Sequence, residues 1–469
     1  MTRQGVALAC ATCAFIWFAG AARADDAEPE TQRWTLDRLI AAALKGPQSR
    51  AAEAATDEAR GNQTEVHGMH FPSVSVTGLL APSPEIRCLD ASCSTTSPQD
   101  ATVAFDGVFG RIQVSLVQPL FTFGKLSAAS DASEQGVKMA ESQEQSVTAD
   151  VALDVAKAYY GLKLARETRW MLEEGAEMVV EALANVNTNI AAGDPEVTLQ
   201  DRYRLETLEA EIEIRLSDAR EAEGVALAGL RALSGEPLVD VDEAPLEAVE
   251  FEVGAAEAYA GRARDRQPEV KLASAGTEAA EDLARVESAR YLPDLLLVGS
   301  VTYAGATDAD NPPSAFADDP YNTASAAIAL ALRWTIDPMA HRGRVARAHA
   351  RSRRARALLG AVRDRADFQA RRAHLQVTRA HEQLATARKG ERSARAWVAS
   401  VLQSEAVGTV SAKDLADAYL AYFTARARSL GTIHAWNVSV FSLRRATGEL
   451  TDTTAVQPAS SKTPESETK

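Results

Sequence analysis

Several features that mark common protein classes are scarce in this chain. Of its 469 residues only 6% are aromatic, 18 are proline and four are cysteine, so the composition favours long helices over a sandwich of short strands. A formal net charge of −15 argues against a general nucleic-acid binder. The sequence contains no phosphate-binding glycine loop and no nucleophile elbow. We therefore do not expect an enzyme, and we assign no catalytic, cofactor-binding or metal-binding residues.

The first 24 residues have the pattern of a secretory signal peptide. A basic start at Arg3 precedes an apolar run over residues 6–21, and Ala22-Arg-Ala24 offers a small-x-small cleavage site. We therefore expect an exported chain whose remaining cysteines are Cys88 and Cys93. In an exported protein, two cysteines this close in a turn-rich segment predict a local disulfide.

Four short segments have strand character, at about 71–80, 108–120, 292–303 and 324–336. Each has the length of a tilted membrane strand, roughly 9–11 residues, and a long polar loop joins the members of each pair, as in outer-membrane strands. Beyond the signal peptide, no apolar run reaches the roughly 18–20 residues that a transmembrane helix needs. Four ordinary buried strands are an equal interpretation of these segments when they are taken alone.

The remaining sequence has the pattern of long helices. No proline occurs between Leu126 and Asn189, and about sixty residues in one helix would span about 90 Å. A second long helix is expected over about 342–404, and a shorter one over about 34–69, continuing through Pro47. A compact globular core has no use for helices this long.

The order of these elements repeats. Leu292-Pro-Asp parallels Phe71-Pro-Ser, and Ala446-Thr-Gly-Glu parallels Leu233-Ser-Gly-Glu. We expect a first repeat over 25–237, a linker over 238–256, a second repeat over 257–450, and a disordered polar tail over 451–469.

These observations together predict a mainly α fold with a membrane β-barrel. Backbone groups inside a bilayer must all be paired, so a membrane sheet must close on itself. Four strands are too few, because the smallest barrels use about eight. Closure must therefore come from an oligomer, and the helices must continue the barrel as a tube.

The second helical hairpin carries a notable tip. Gly408-Thr409 interrupts the helical pattern, and Asp414 and Asp417 follow three residues apart, so they share one face near a helix N-terminus. From the residues alone, this acidic pair fits a solvated first turn as well as a functional site.

The chain resembles the TolC-like outer-membrane efflux family over nearly all of its mature length. The residues that carry the resemblance are Trp34-Thr-Leu-Asp-Arg-Leu, Val117-Gln-Pro-Leu-Phe-Thr-Phe-Gly124, Ala406-Val-Gly-Thr409 followed by Asp414, and Ala446-Thr-Gly-Glu-Leu450. The resemblance implies a homotrimer with a twelve-stranded barrel in the outer membrane and a helical tunnel across the periplasm. It also implies two protein partners, a periplasmic adaptor and an inner-membrane transporter.

The resemblance also implies roles for individual residues. Asp414 and Asp417 match the acidic positions that form a selectivity ring at the periplasmic mouth, and Gly193, Asp194, Gly408 and Thr409 match the adaptor-docking tips. Better-known members close the mouth with an arginine and a tyrosine near the second tip, where this chain has Val410 and Glu405. Closure by that pair is therefore not expected here.

A basic stretch follows the fourth strand segment. Residues 341–356 hold seven arginines and no acidic residue. Because the chain is expected to be exported and acidic, we interpret Arg351, Arg353 and Arg354 as contacts to anionic lipid headgroups of the outer membrane. A solvated helix face is the alternative.

The sequence thus predicts a passive exit duct that extends from the outer membrane into the periplasm. The competing interpretation is a soluble periplasmic coiled-coil protein without a pore, in which the strand segments would form part of a core. The transported substrate is not specified by any motif.

Overall fold

A computed structural model describes residues 32–83, 107–193, 195, 197–307, 322–405 and 412–451. Several predicted features lie outside these residues: the signal peptide, the Cys88–Cys93 disulfide, Asp194, Gly408, Thr409, Val410 and the tail beyond residue 451.

The first repeat contains two short helices, two strands and two long helices. After the three-residue strand β1 (Gln32–Trp34), its elements are α1 (Leu36–Ala43), α2 (Pro47–Gly68), β2 (Ser73–Ser83), β3 (Gly107–Phe121), α3 (Lys125–Ala192) and α4 (Leu199–Ser234). The helix expected over 34–69 is therefore two helices. Pro47 starts α2 because a proline lacks the N–H that a helix interior requires but fits the first helical position.

The second repeat has the same order of elements. Strand β4 (Val239–Val241) lies in the linker, followed by α5 (Ala256–Arg266), α6 (Pro268–Ala289), β5 (Asp294–Ala306), β6 (Thr323–Arg333), α7 (Pro338–Glu405), α8 (Ala412–Ala446) and a 3-10 turn (Glu449–Thr451). The two long helices α3 and α7 each have 68 residues, and the two short helices α2 and α6 each have 22. A helix of 68 residues extends about 100 Å.

The strands and the helices beneath them follow one lateral order. The sheet is antiparallel with the order β2-β3-β5-β6, so β2 and β6 are its edges. The helices that continue these strands pack in the matching order, α2 against α3, α3 against α6, and α6 against α7. Each chain therefore contributes one layer, and α2 and α7 lie at its ends as β2 and β6 do.

The core lies along the long helices and around the linker. One buried cluster joins α1, α3 and α8 to the linker and includes Leu39, Leu162, Val241 and Trp436. A parallel pair of short strands, β1 with β4, fixes the linker to the start of the chain. A second cluster lies nearer the tips and includes Met171, Val179, Leu205 and Tyr419.

Among the described residues, none of the helices combines the length and the apolar character that a bilayer crossing requires.

Equivalent glycines end the return helices of the two repeats, but their surroundings differ. Gly235 ends α4 with φ of +73°, and a Cβ atom there would meet no atom within 4 Å. Gly448 follows α8 with φ of +76°, and a Cβ atom there would lie 2.7 Å from the carbonyl oxygen of Arg266. Only the second site therefore adds a backbone collision to the left-handed conformation.

This difference predicts unequal costs for two matched substitutions. Gly235→Ala should lower the free energy of unfolding by about 1 kcal/mol, the cost of a left-handed alanine. Gly448→Ala should lower it by about 2–3 kcal/mol, because the Arg266–Gln267 backbone must also move. Denaturant unfolding of the detergent-solubilised protein, followed by circular dichroism, measures both, and equal losses would contradict the prediction.

Candidate functional site

The two faces of the sheet differ in polarity. Strand pairing aligns Thr77, Gln113, Thr302 and Ser325 in one row across all four strands. The next row along the strands is Val76, Val114, Val301 and Ala326. Because successive side chains on a strand point to opposite faces, one face carries the polar row and the other carries the apolar row.

A second pair of rows repeats this separation. Ser75, Ser115 and Ser300 are aligned on the polar face, while Val74, Leu116 and Ile328 share a row on the apolar face. Gln113 donates a hydrogen bond from Nε2 to Ser115 Oγ at 3.3 Å, which places both side chains on the same face. The polar face presents hydroxyl and amide groups along the middle of the sheet, with Arg111 further toward the loops.

The apolar face is the more exposed one on strand β5. Val301 and Tyr303 are 54% and 67% exposed, whereas Thr302 between them is only 8% exposed. On the edge strands both faces are exposed: Val76 and Ile328 are 68% and 71% exposed, and Thr77 and Ser325 on the polar face are exposed as well. On β5, this is the distribution expected of a strand with an apolar side toward lipid and a sheltered polar side toward a lumen.

Charged and aromatic residues lie where the strands meet the helices. Lys125 Nζ donates to Asp294 Oδ1 at 2.7 Å, which ties the start of α3 to the start of β5. Trp334 donates from Nε1 to the carbonyl oxygen of Tyr291 at 2.9 Å. Trp334 is 51% exposed, as is common for tryptophan at a membrane–water interface.

The first hairpin tip is built from a glycine and a capping box. Gly193 ends α3 in the left-handed conformation, with φ of +78°. Thr198 precedes α4, and Asp201 accepts hydrogen bonds from the Thr198 backbone N–H and hydroxyl at 3.0 and 2.6 Å. These contacts satisfy donors that a helix N-terminus otherwise leaves unpaired.

The predicted acidic pair lies at the start of the return helix α8. Both Asp414 and Asp417 are exposed, and α8 begins at Ala412. Asp417 lines a groove between α8 and α4, together with Tyr203, Arg204 and Glu211. The structure thus places the pair near the tips and beside the first hairpin, and its role in ion selectivity stays a prediction.

The three arginines predicted to contact lipid all lie on α7 and are exposed. Arg351 is 13 residues beyond Pro338, which corresponds to about 20 Å along the helix. A headgroup layer is only about 5–7 Å thick on each side of the bilayer. Lipid contact by Arg351, Arg353 and Arg354 stays a prediction, and the arginines nearer to Pro338 lie closer to the sheet.

Two partly buried networks of charged residues were not anticipated from the sequence. Near the linker, Asp242 accepts hydrogen bonds from Tyr159 and Lys163 at 2.6 Å each. Burial favours a higher pKa for Asp242, but these two donors outweigh it, and the pKa is lowered. The pKa of Tyr159 is raised by burial and by the neighbouring Asp242 carboxylate. No periodicity marks such pairs, because their members come from distant parts of the chain.

The second network joins three helices. Arg445 of α8 binds Asp150 of α3 at 2.7 Å and Glu269 of α6, and Ser146 donates to Glu269 at 2.9 Å. Burial would raise the pKa of Glu269, but the Arg445 guanidinium overcomes this effect and holds the pKa below its usual value. The ionised carboxylate therefore stabilises the fold.

This network predicts a specific loss of stability in acid. A carboxylate whose pKa is lowered by folding contributes above its unfolded pKa, near 4.3, and loses that contribution as pH falls through the folded value. Glu269→Gln should cost roughly 1–2 kcal/mol at pH 7, and its stability should change less between pH 6 and 3 than that of the wild type.

Asp150→Asn is the matched control, because it removes the more exposed partner of the same guanidinium. Thermal unfolding across this pH range measures both variants. If Asp150→Asn flattened the acid dependence as much as Glu269→Gln, the assignment to Glu269 would be wrong.

A sequence profile described as outer membrane efflux protein matches residues 41–236 and 259–449. These two segments cover most of the chain and coincide with its two structural repeats. The chain therefore belongs to the outer membrane efflux protein family. A comparison with curated protein sequences gave no significant match.

Solved structures share the fold at low sequence identity. CusC superposes with a TM-score of 0.72 at 16% identity, over 89% of this chain and 92% of that chain. The CmeC outer membrane channel of Campylobacter jejuni gives 0.72 at 15% identity, over 88% and 85%. The MtrE outer membrane channel of Neisseria gonorrhoeae gives 0.69 at 17% identity, over 88% and 89%.

Family membership confirms the mainly helical two-repeat fold and the predicted exit duct of the outer membrane, which extends into the periplasm. The alternative, a soluble periplasmic protein without a pore, is set aside.

Proposed function

We propose that three copies of the chain close into one passive duct, with a twelve-stranded barrel above a helical tunnel. The observation that carries this proposal is a four-stranded sheet with one polar face, one apolar face and two open edges. Open edges do not exist in a bilayer, and three such sheets joined β6 to β2 remove all of them. The duct itself supplies no chemistry, so energy for transport comes from a partner.

The proposed lumen explains the hydroxyl and amide rows. Uncharged groups such as Thr77, Gln113 and Ser115 keep the passage hydrated without binding a charged solute strongly. The apolar rows provide the lipid-facing band, and Trp334 lies at its periplasmic border.

The proposed partners are a periplasmic adaptor at the hairpin tips and an inner-membrane transporter that drives export. The resemblance to the efflux family and the length of α3 and α7 support this arrangement. Helices of about 100 Å carry the tips far from the sheet, which has a purpose only if the tips contact a partner there. Gly193 and Thr198 shape the described tip that such an adaptor would contact.

We also propose that Asp414 and Asp417 form the ring of six carboxylates at the mouth of the trimer. Their exposure at the first turn of α8 supports this role. A ring of negative charge raises the local concentration of cations and disfavours anions.

The orientation of the sheet predicts different reactivity for two adjacent positions. In a chain with Cys88→Ser and Cys93→Ser, Ser115→Cys should react with a membrane-impermeant thiol reagent, because its side chain faces the lumen. Val114→Cys should react at least tenfold more slowly, because a lipid-facing thiol is shielded from water. Mass spectrometry of the labelled outer membranes measures both rates. Faster labelling of Val114→Cys would reverse the proposed faces.

The mouth ring predicts a change in ion selectivity. Asp414→Asn combined with Asp417→Asn should lower the cation-to-anion permeability ratio at least twofold in planar bilayers, because fixed negative charge is lost from the entrance. Glu213→Gln on exposed α4 is the control and should leave the ratio unchanged. An unchanged ratio in the double variant would refute the ring assignment.

A further inference from the structure

The two end helices of each chain, α2 and α7, carry opposite charge on the faces that the chain itself leaves uncovered. We propose that these faces bind each other between neighbouring copies, with Arg353 of α7 paired to Glu58 of α2 in the next copy. This inference rests on the proposed trimer and names the contact that fixes its lateral order.

One side of α2 is turned toward α3. Thr56 is 1% exposed and donates a hydrogen bond to Glu144 of α3 at 2.7 Å, and Arg60 binds Glu141 at 3.2 Å. At 3.6 residues per turn, the positions on the opposite side of α2 can be read from the sequence. They are Ala51, Ala54, Glu58, Gly61 and Glu65, and all five are exposed.

One side of α7 is turned toward α6 in the same way. Ala348 and Ser352 are 7% and 5% exposed, and Arg356 beside them binds Glu281 of α6 at 2.7 Å. The exposed positions on the opposite side of this part of α7 include Gly343, Ala350 and Ala357, with Arg353 and Arg354 to either side of them. The charged positions of this set are both arginines, and those of the α2 set are both glutamates.

The packing within one chain provides a template for the contact between chains. The long helix of the first repeat, α3, lies against the short helix of the second, α6, through Ser146–Glu269 at 2.9 Å and Asp131–Arg285 at 3.1 Å. By the same pattern, the long helix α7 of the second repeat should lie against the short helix α2 of a first repeat. Only the next copy can supply that helix. Between them, Ala54, Gly61, Ala350 and Ala357 permit close approach of the two helices.

The two charged groups lie at comparable depth below the sheet. Arg353 is about 22 Å beyond Pro338 at the start of α7, and Glu58 is about 15 Å before Gly68 at the end of α2. The difference of about 7 Å lies within the combined reach of an arginine and a glutamate side chain. The same depth is several times the thickness of a headgroup layer, which favours a protein partner over a lipid for Arg353.

Charge exchange tests the pair in the full-length protein, extracted from outer membranes in mild detergent. Glu58→Arg alone and Arg353→Glu alone should each lower the fraction of trimer at least threefold in native mass spectrometry. The double variant Glu58→Arg/Arg353→Glu should restore at least half of the wild-type fraction, because the attraction returns with reversed sign.

The control for this rescue is Glu58→Arg/Arg351→Glu. Arg351 lies two positions from Arg353 and on another side of α7, so this variant should stay as deficient as Glu58→Arg. Equal rescue by Arg351→Glu would overturn the pairing but not the proposed trimer. The same conclusion would follow if the losses of trimer fraction in Glu58→Arg and Arg353→Glu simply added in the double variant. A wild-type fraction of trimer in both single variants, together with loss of bound anionic lipid from Arg353→Gln, would overturn the pairing in favour of lipid contact by Arg353.

Crosslinking gives a second measurement that does not depend on charge. In a chain with Cys88→Ser and Cys93→Ser, Glu58→Cys/Arg353→Cys should form a covalent trimer on oxidation, and Glu58→Cys/Arg351→Cys should not. An uncrosslinked trimer would refute the contact alone, whereas a wild-type protein that is monomeric in the outer membrane would refute the proposed function with it.

Discussion

A peptide group inside a bilayer has no water to bind, and the four-stranded sheet has two edge strands, β2 and β6, that no other described strand pairs. The rest of the architecture follows from that constraint. The edges must meet edges of other copies, so the sheet needs a curved, repeated arrangement with one polar face and one apolar face. The helices continue the strands in the same lateral order, so whatever joins the sheets also joins the helices below them.

Internal duplication lets one chain present two different edges. Both repeats have a 22-residue helix and a 68-residue helix, but their charges are exchanged: Arg60 binds Glu141 in the first repeat, and Glu281 binds Arg356 in the second. The exchange leaves an acidic outer face on α2 and a basic one on α7. A contact between unlike faces closes a ring, whereas like faces would repel. The charges thus determine which helix faces bind each other, and the small residues allow the two helices to pack closely.

The sequence was sufficient for the fold class and insufficient for parts of the site. Strand character in four segments, long proline-free helices and the repeat of Leu-Ser-Gly-Glu as Ala-Thr-Gly-Glu pointed to the architecture that family membership confirms. The break before Pro47 was missed because helical periodicity continues through it. The network around Arg445 could not be found, since Asp150, Glu269 and Arg445 become neighbours only through tertiary packing. The polar and apolar rows also needed the strand register, because a shift of one residue exchanges the faces.

The equal length of α3 and α7 has a consequence for any protein that docks below. Both helices start at the lower end of the sheet and run for the same number of turns, so α3 and α7 end at nearly the same level. In the proposed trimer, the far rim then has approximate sixfold symmetry although the duct has three chains. A docking partner can match this rim with either three or six copies. One added turn in only one repeat would raise three tips by about 5.4 Å and restrict the partner to threefold binding.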